Sequence, residues 1–202
     1  MNTKSEWNYP PPREGFAGQW DRFVGPGATK AEQLIPVFAA LAAAALVLGI
    51  AATKDLGWTT LQFVLAGFLA FDLFGGPAML ATSSAKRWYH RASSTRAGHL
   101  KFVSAHILQI GLVAYFFRNG DWLWLATIST TVFVASSLVL STSLRFQRTV
   151  AFILACIGIA LDMSLFDPTP GLPWFVPVLF IKLVIAHSTV EEPYTNLEEL
   201  KA

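Results

Sequence analysis

The sequence predicts an all-α protein, a polytopic bundle of about six transmembrane helices. Of its 202 residues, 53% are hydrophobic and only 14% are charged, whereas soluble domains carry roughly 25% charged residues. The apolar residues come in long runs that short polar loops separate. Because about 20 apolar residues in a helix cross a hydrocarbon core of about 30 Å, each of these runs is interpreted as one span.

The runs are separated by turn-forming or basic residues. In chain order they cover residues 33–52, 58–81, 99–117, 122–140, 149–166 and 173–190. Thr29, with Glu32 three residues later, has the spacing of a capping box before the first run. Within the second run, Gly75-Gly76-Pro77 predicts an interruption of the helix. The chain is thus divided into a polar leader over 1–30, a transmembrane domain over 31–190 and an acidic tail over 191–202.

The basic residues predict the orientation of the bundle. Lysine and arginine are concentrated in the leader and in the loops after the second and fourth runs, as Lys4, Arg13, Arg22, Lys30, Lys86, Arg87, Arg91, Arg96, Arg145 and Arg148. Cytosolic loops carry such an excess, so an even number of spans places both termini in the cytosol. Four tryptophans lie at the opposite ends of the runs, where an aromatic belt is expected: Trp58, Trp122, Trp124 and Trp174.

The sequence lacks several well-defined functional motifs. A single cysteine, Cys156, excludes a disulfide framework and a cysteine-based metal site. There is no phosphate-binding glycine loop, no Gly-x-Ser-x-Gly and no His-Glu-x-x-His, and the leader lacks the features of a signal peptide. Basic residues are not interleaved with aromatics on a soluble face, so nucleic acid is not an expected partner. Neither a cofactor nor a metal is expected.

Five ionisable residues fall inside the apolar runs: Asp72, His106, Asp162, Lys182 and His187. A charged side chain near the centre of a membrane helix costs about 3 kcal/mol on insertion scales, so such residues are functional candidates. A rise of about 1.5 Å per residue puts Asp72, His106 and His187 in the cytosolic half of the bilayer. The hypothesis is that these side chains converge on one cavity that opens toward the cytosol.

Helical spacing adds neighbours to this set. Gln109 shares a stripe with His106, and Glu191, one turn after His187, has the position to orient that imidazole. The predicted break at Gly75-Gly76 would form the wall of a pocket. The candidate catalytic residues are therefore Asp72, His106, His187 and Glu191, and the candidate substrate-binding residues are Gly75, Gly76, Gln109 and Lys182.

Each candidate also has a structural interpretation. Asp72 and Lys182 could be partners of each other, and both histidines could form interhelical hydrogen bonds. Asp162 could pair two helices, and Gly75-Gly76 could be a close helix contact. Loop arginines, with His90 and His99, could anchor anionic lipid head groups.

A carboxylic acid buried in lipid tends to be neutral at neutral pH, so Asp72 is a possible proton donor to an alkene or epoxide. His106, or His187 with Glu191, could accept a proton as general base. The chain also holds 16 Phe, 7 Trp and 4 Tyr, whose ring faces can stabilise a cation.

A family resemblance rests on three features of the chain. These are its size, Asp72 within Phe71-Asp72-Leu73-Phe74, and Glu191-Glu192 at the end of the last run. The chain resembles the small membrane-bound terpene cyclases of meroterpenoid and indole-terpenoid pathways. The resemblance implies cyclisation or isomerisation of an isoprenoid or other lipophilic substrate in the cytosolic leaflet, with membrane lipids as the other partners.

Two other functions stay open. Asp72, His106 and His187 could hold zinc with one position left for water, and intramembrane ceramidases use histidine and aspartate in this style to hydrolyse lipids. A non-enzymatic scaffold or transporter subunit is the third possibility. Transporters usually carry broken helices in two repeats, whereas this sequence predicts only the break at Gly75 to Pro77.

Overall fold

The computed structural model describes residues 9–190, which form helices joined by short loops with no strand. Five helical stretches are long and apolar enough to cross a membrane, which confirms the prediction of an all-α, multi-pass membrane protein. They are α2 (Lys30–Thr53), α3 (Thr60–Leu80), α5 with α6 (Arg96–Ala105 and Ile107–Phe116), α7 (Trp122–Ser141) and α8 (Leu144–Leu165). The shorter elements are α1 (Gly15–Val24), α4 (Ser83–Tyr89) and α9 (Phe175–Phe180), and α9 continues as a π-helix over Ile181–His187.

The start of α2 confirms the predicted capping box. The Thr29 side chain accepts a hydrogen bond from the Glu32 amide at 3.2 Å, and the Glu32 carboxylate accepts one from the Thr29 amide at 2.9 Å. Thr59 and Gln62 form the same arrangement before α3. These caps satisfy amides that have no partner within the helix.

The predicted interruption of the second span is wrong, because α3 continues through Gly75-Gly76-Pro77 to Leu80. The glycines instead allow close packing. A Cβ atom at Gly75 would lie 2.7 Å from the Ala40 Cβ of α2, so the absence of a side chain lets α2 and α3 approach each other. Small residues play this part in many membrane helix pairs.

Two irregularities occur where the sequence predicted regular helix. The third span is divided at His106, whose amide bonds to the Val103 carbonyl at 3.1 Å in a tight turn. The last helix widens into the π-helix, which contains Lys182 and His187. π-Helical turns often occur at functional sites, and both irregularities carry ionisable residues.

Polar contacts fix the end of the bundle that carries the predicted aromatic belt. Arg118 forms an ion pair with Asp121 at 2.9 Å and donates a hydrogen bond to the Asp167 carbonyl at 2.8 Å. The indole nitrogen of Trp124 donates to Asp162 at 2.8 Å. Asp162 therefore joins α8 to α7, in agreement with its structural interpretation.

At the opposite end, part of the leader is folded against the bundle. The Ser84 hydroxyl of α4 donates to the Val24 carbonyl at 3.0 Å, and the Tyr89 hydroxyl donates to the Phe23 carbonyl at 3.1 Å. The Ser84 amide in turn donates to Glu32 of α2 at 3.0 Å. Helix α1 thus lies beside α4 and α2, within the segment that the sequence analysis assigned to the leader.

The packing of α2 on α3 gives a first prediction. Gly75→Ala should destabilise the protein by about 1–3 kcal/mol, because the added methyl group meets a rigid neighbour. Thermal unfolding of the purified protein in dodecyl maltoside measures the effect. Gly49→Ala is the matched control, since its Cβ would meet nothing within 4 Å. Equal melting temperatures for the two variants would contradict the packing role of Gly75.

Candidate functional site

A cavity of about 390 Å³ lies among α1, α2, α3, α4, α5, α6 and the π-helix. Its walls are mainly apolar and include Trp20, Phe23, Val37, Phe71 and Met79. Small-molecule sites usually have volumes of about 300–1,000 Å³ and apolar walls with a few polar groups. The cavity therefore has the size and lining of a site for a small lipophilic molecule.

The polar side chains of this lining include Asp72, His106, Gln109 and Lys182, together with Gln33 of α2. Asp72 Oδ2 accepts a hydrogen bond from Lys182 Nζ at 2.5 Å and one from Gln109 Nε2 at 2.7 Å. The Lys182 side chain is only 3% exposed, whereas that of Asp72 is 35% exposed. Pairing neutralises two charges that would each be costly alone in an apolar interior, and the Asp72 carboxylate still borders the cavity.

Gly76 provides the space that the lysine occupies. A Cβ atom on Gly76 would lie 2.6 Å from Lys182 Cε and 3.0 Å from its Nζ. Both Gly75 and Gly76 line the cavity. The absence of a side chain at Gly76 therefore leaves room for the side chain of Lys182 to cross the surface of α3 and reach Asp72.

The break between α5 and α6 positions His106. Its Nδ1 lies 2.8 Å from the Phe102 carbonyl oxygen. Since a carbonyl can only accept, Nδ1 must carry the hydrogen, and in the neutral ring Nε2 then keeps a lone pair. The imidazole is 7% exposed and lines the cavity. The bond to the Phe102 carbonyl fixes Nδ1 as the donor, so in the neutral ring Nε2 is the atom that can accept a proton beside the ion pair.

His187 is not brought to this cavity. The Phe102 ring contacts both imidazoles, with its centre 4.7 Å from that of His106 and 4.1 Å from that of His187. His187 lines a second cavity of about 470 Å³. The predicted convergence thus joins Asp72 with His106 but not with His187, while Glu191 lies outside the described residues. Depth along a span does not determine the direction in which its side chains point.

Sequence reasoning missed the aromatic and histidine contacts around His187. His90 and His99 are stacked with ring centres 4.7 Å apart, and His99 Nδ1 lies 3.2 Å from His187 Nε2. The only signal in the sequence was the seven-residue spacing of His99 and His106, which put both on one stripe. For Trp20 and Phe23 of the leader, the sequence suggested a place on the membrane surface before the first span but not a part in lining a cavity.

His90 lies at the end of α4, outside the spans. Burial, together with the nearby His99, Lys86 and His187, lowers the pKa of His90 from its ordinary 6.5 to about 2. Its imidazole is therefore neutral at physiological pH. A buried neutral histidine that is stacked on another ring acts as a packing group and a hydrogen-bonding group.

Within residues 9–190, no group of three histidine, cysteine, aspartate or glutamate side chains is arranged to hold a metal ion. Asp72 and His106 share a cavity that His187 does not line. These three residues consequently do not form the zinc ligand set that the hydrolase alternative requires.

No protein-family model, curated protein or solved structure matches the chain. The resemblance to terpene cyclases therefore stays a prediction. Chemical function has to be inferred from the cavity itself, which combines apolar walls, a buried ion pair and an imidazole of fixed tautomer.

The ion pair gives a second prediction. Asp72→Leu or Lys182→Met alone should destabilise the protein by about 3 kcal/mol, because each leaves the other charge buried without a partner. The double variant should regain most of this loss. Thermal unfolding in detergent of the wild type, both single variants and the double variant measures the coupling. Additive losses would show that the two side chains do not stabilise each other.

The third prediction concerns His90 and pH. Below its ordinary pKa of 6.5 the unfolded chain binds a proton that the folded chain does not, so stability falls as the pH falls. His90→Gln should remove about 1.4 kcal/mol of the stability difference between about pH 7.5 and about pH 5.5. Melting temperatures measured across this range test the effect. An unchanged pH dependence in His90→Gln would contradict a buried, neutral His90.

Proposed function

We propose that this protein is an integral membrane enzyme that transfers a proton between two carbon atoms of a lipophilic substrate and thereby isomerises it. The observation that carries the proposal is the meeting of an apolar cavity with an ion pair and an imidazole whose Nδ1 is bonded to a carbonyl. Asp72, His106, Gln109 and Lys182 are the proposed site residues.

The proposed membrane arrangement has six spans with both termini in the cytosol. The shorter apolar segment Phe175–His187 joins the five longer stretches as the sixth span. The cavity is lined by Trp20 of α1 and Tyr89 of α4, which lie at the same end of the bundle as the basic loop around Lys86 and Arg91. By the distribution of basic residues, the substrate would enter from the cytosolic leaflet.

His106 is the proposed general base. In the neutral ring its Nε2 carries the lone pair, because Nδ1 donates its hydrogen to the Phe102 carbonyl. An imidazole is well suited to this task because its ordinary pKa is close to neutral pH. After taking a proton from one carbon, the imidazolium delivers a proton to another, either the same one or one exchanged with water, so the base is regenerated in each turnover.

Lys182 is the proposed stabiliser of developing negative charge. Its ammonium is held by Asp72 at 2.5 Å and is 3% exposed, so its position is fixed before substrate binds. A preorganised cation beside an oxygen that becomes an oxyanion lowers the barrier of such reactions. This arrangement favours a substrate with a carbonyl oxygen at the reacting end.

Gln109 is the proposed substrate-orienting residue. Its amide nitrogen donates to Asp72 at 2.7 Å, which fixes the amide orientation. Its Oε1 atom is buried and has no hydrogen-bond partner within residues 9–190. Because an unpaired buried acceptor is unfavourable, a hydroxyl or amide donor on the substrate would stabilise the complex there.

The proposed reaction is a double-bond shift in a carbonyl compound. His106 removes a proton from the carbon next to the carbonyl, and the electron pair moves onto the oxygen that faces Lys182. The pair then returns to carbon as His106 delivers its proton at the other end of the conjugated system. Cation-driven cyclisation fits less well, because Asp72 is paired as a carboxylate and the lysine charge opposes a carbocation.

The fourth prediction tests this chemistry with geranylacetone, a ketone that carries an isoprenoid chain. In deuterated buffer, the purified protein in detergent should accelerate deuterium incorporation next to the carbonyl, as measured by mass spectrometry. His106→Gln should return the rate to that of buffer, and Lys182→Met should lower it by about 100-fold or more.

Asp162→Asn is the matched control, since this carboxylate also lies inside a span but bonds to Trp124 outside the cavity. It should keep the wild-type exchange rate. If His106→Gln exchanged as fast as the wild type, His106 would not be the base. If geranylacetone bound without exchange, a non-enzymatic carrier or scaffold would be the better interpretation.

A further inference from the structure

The second cavity, of about 470 Å³, has a different chemical character from the first. Both cavities are bordered by Tyr89 and Phe102. The remaining lining of the second one is largely polar or basic and consists of Arg22, Trp88, Arg91, Ser93, Ser94, Thr95, Gly98, His99 and His187. None of these lining residues of the described chain is acidic.

Two arginines bring positive charge to this cavity, one from helix α1 and one from the loop after α4. Arg22 lies in the last turn of α1. Arg91 is held in place by a hydrogen bond to the Trp88 carbonyl at 2.6 Å, with its guanidinium 4.0 Å from the centre of the Trp88 ring. An arginine fixed in this way presents its remaining N–H groups with little loss of side-chain freedom on binding.

The N-terminus of α5 faces the same cavity. Thr95 caps this helix by accepting a hydrogen bond from the Gly98 amide at 3.1 Å, and both residues line the cavity. The N-terminal end of a helix carries partial positive charge and favours anions. The hydroxyls of Ser93, Ser94 and Thr95 are further groups of the kind that bind oxygen atoms.

His187 supplies an independent sign that something binds here. Its side chain is 2% exposed and lines the cavity, and its Nε2 lies 3.2 Å from His99 Nδ1. Its other nitrogen, Nδ1, is buried without a hydrogen-bond partner within residues 9–190. Buried polar atoms normally have partners, and a ligand in the cavity could provide this one.

We propose that the second cavity binds a phosphate group, either free or as part of a lipid head group. Arg22 and Arg91 meet its charge, the hydroxyls of the loop and the start of α5 meet its oxygens, and His187 contacts it from the buried side. This site is separate from the ion pair and imidazole of the proposed enzyme and does not depend on the isomerase chemistry.

The test uses the purified full chain in dodecyl maltoside and three probes: dioctanoyl phosphatidic acid, dioctanoylglycerol and inorganic phosphate. Phosphatidic acid should raise the melting temperature of the wild type in a saturable way that depends on Arg91, while any effect of dioctanoylglycerol, which has the same tails without phosphate, should be unchanged in Arg91→Gln. Arg91→Gln and His187→Gln should each raise the apparent Kd by about tenfold or more, because each removes a contact to a charged group.

Arg145→Gln is the matched control, because this arginine lies in another basic loop, outside both cavities. It should keep the wild-type Kd. Saturable stabilisation by inorganic phosphate, with the same loss in Arg91→Gln, would support the site and identify a soluble phosphate as the ligand. The absence of stabilisation by either phosphate probe, or equal weakening by Arg145→Gln, would overturn the proposal.

Discussion

The ion pair between Asp72 and Lys182 is the constraint on which the rest of the site depends. A lone carboxylate or ammonium is costly inside an apolar bundle, whereas the pair is nearly neutral. At 2.5 Å the contact ties α3 to the π-helical end of the last helix. The bare backbone at Gly76 leaves room for this contact, since a methyl group there would meet the present position of the lysine side chain. Gln109 then completes the coordination of the carboxylate from α6.

The irregular parts of the helices occur where polar side chains have to reach a common point. His106 lies at the junction of α5 and α6, and its ring turns back to the Phe102 carbonyl of the preceding turn. Lys182 and His187 lie in the π-helix, whose wider turn changes the angular spacing of side chains. In a regular α-helix, the same side chains would point in different directions around the helix axis. The π-helical turn therefore helps to place Lys182 at the first cavity and His187 at the second.

The Phe102 ring forms part of the wall between the first cavity, which is mainly apolar, and the second cavity, which is basic. It contacts the imidazoles of both His106 and His187, and with Tyr89 it borders both cavities. The cavities thus share a wall but differ in the ligands that they favour. One suits a lipophilic chain with a polar end, and the other suits a compact anion. Their common end of the bundle is closed in part by α1, which the sequence presented only as a polar leader.

The sequence by itself determined the helical class, the long apolar spans and the capping box at Thr29, because these depend on local composition and spacing. It also selected Asp72 and His106 as members of one site, since ionisable residues are rare in lipid. Only the tertiary structure decided that Lys182 neutralises Asp72 and that Phe102 separates His187 from them. Those outcomes depend on the rotation and separation of helices that are distant in the chain, and these are set by side-chain packing between helices.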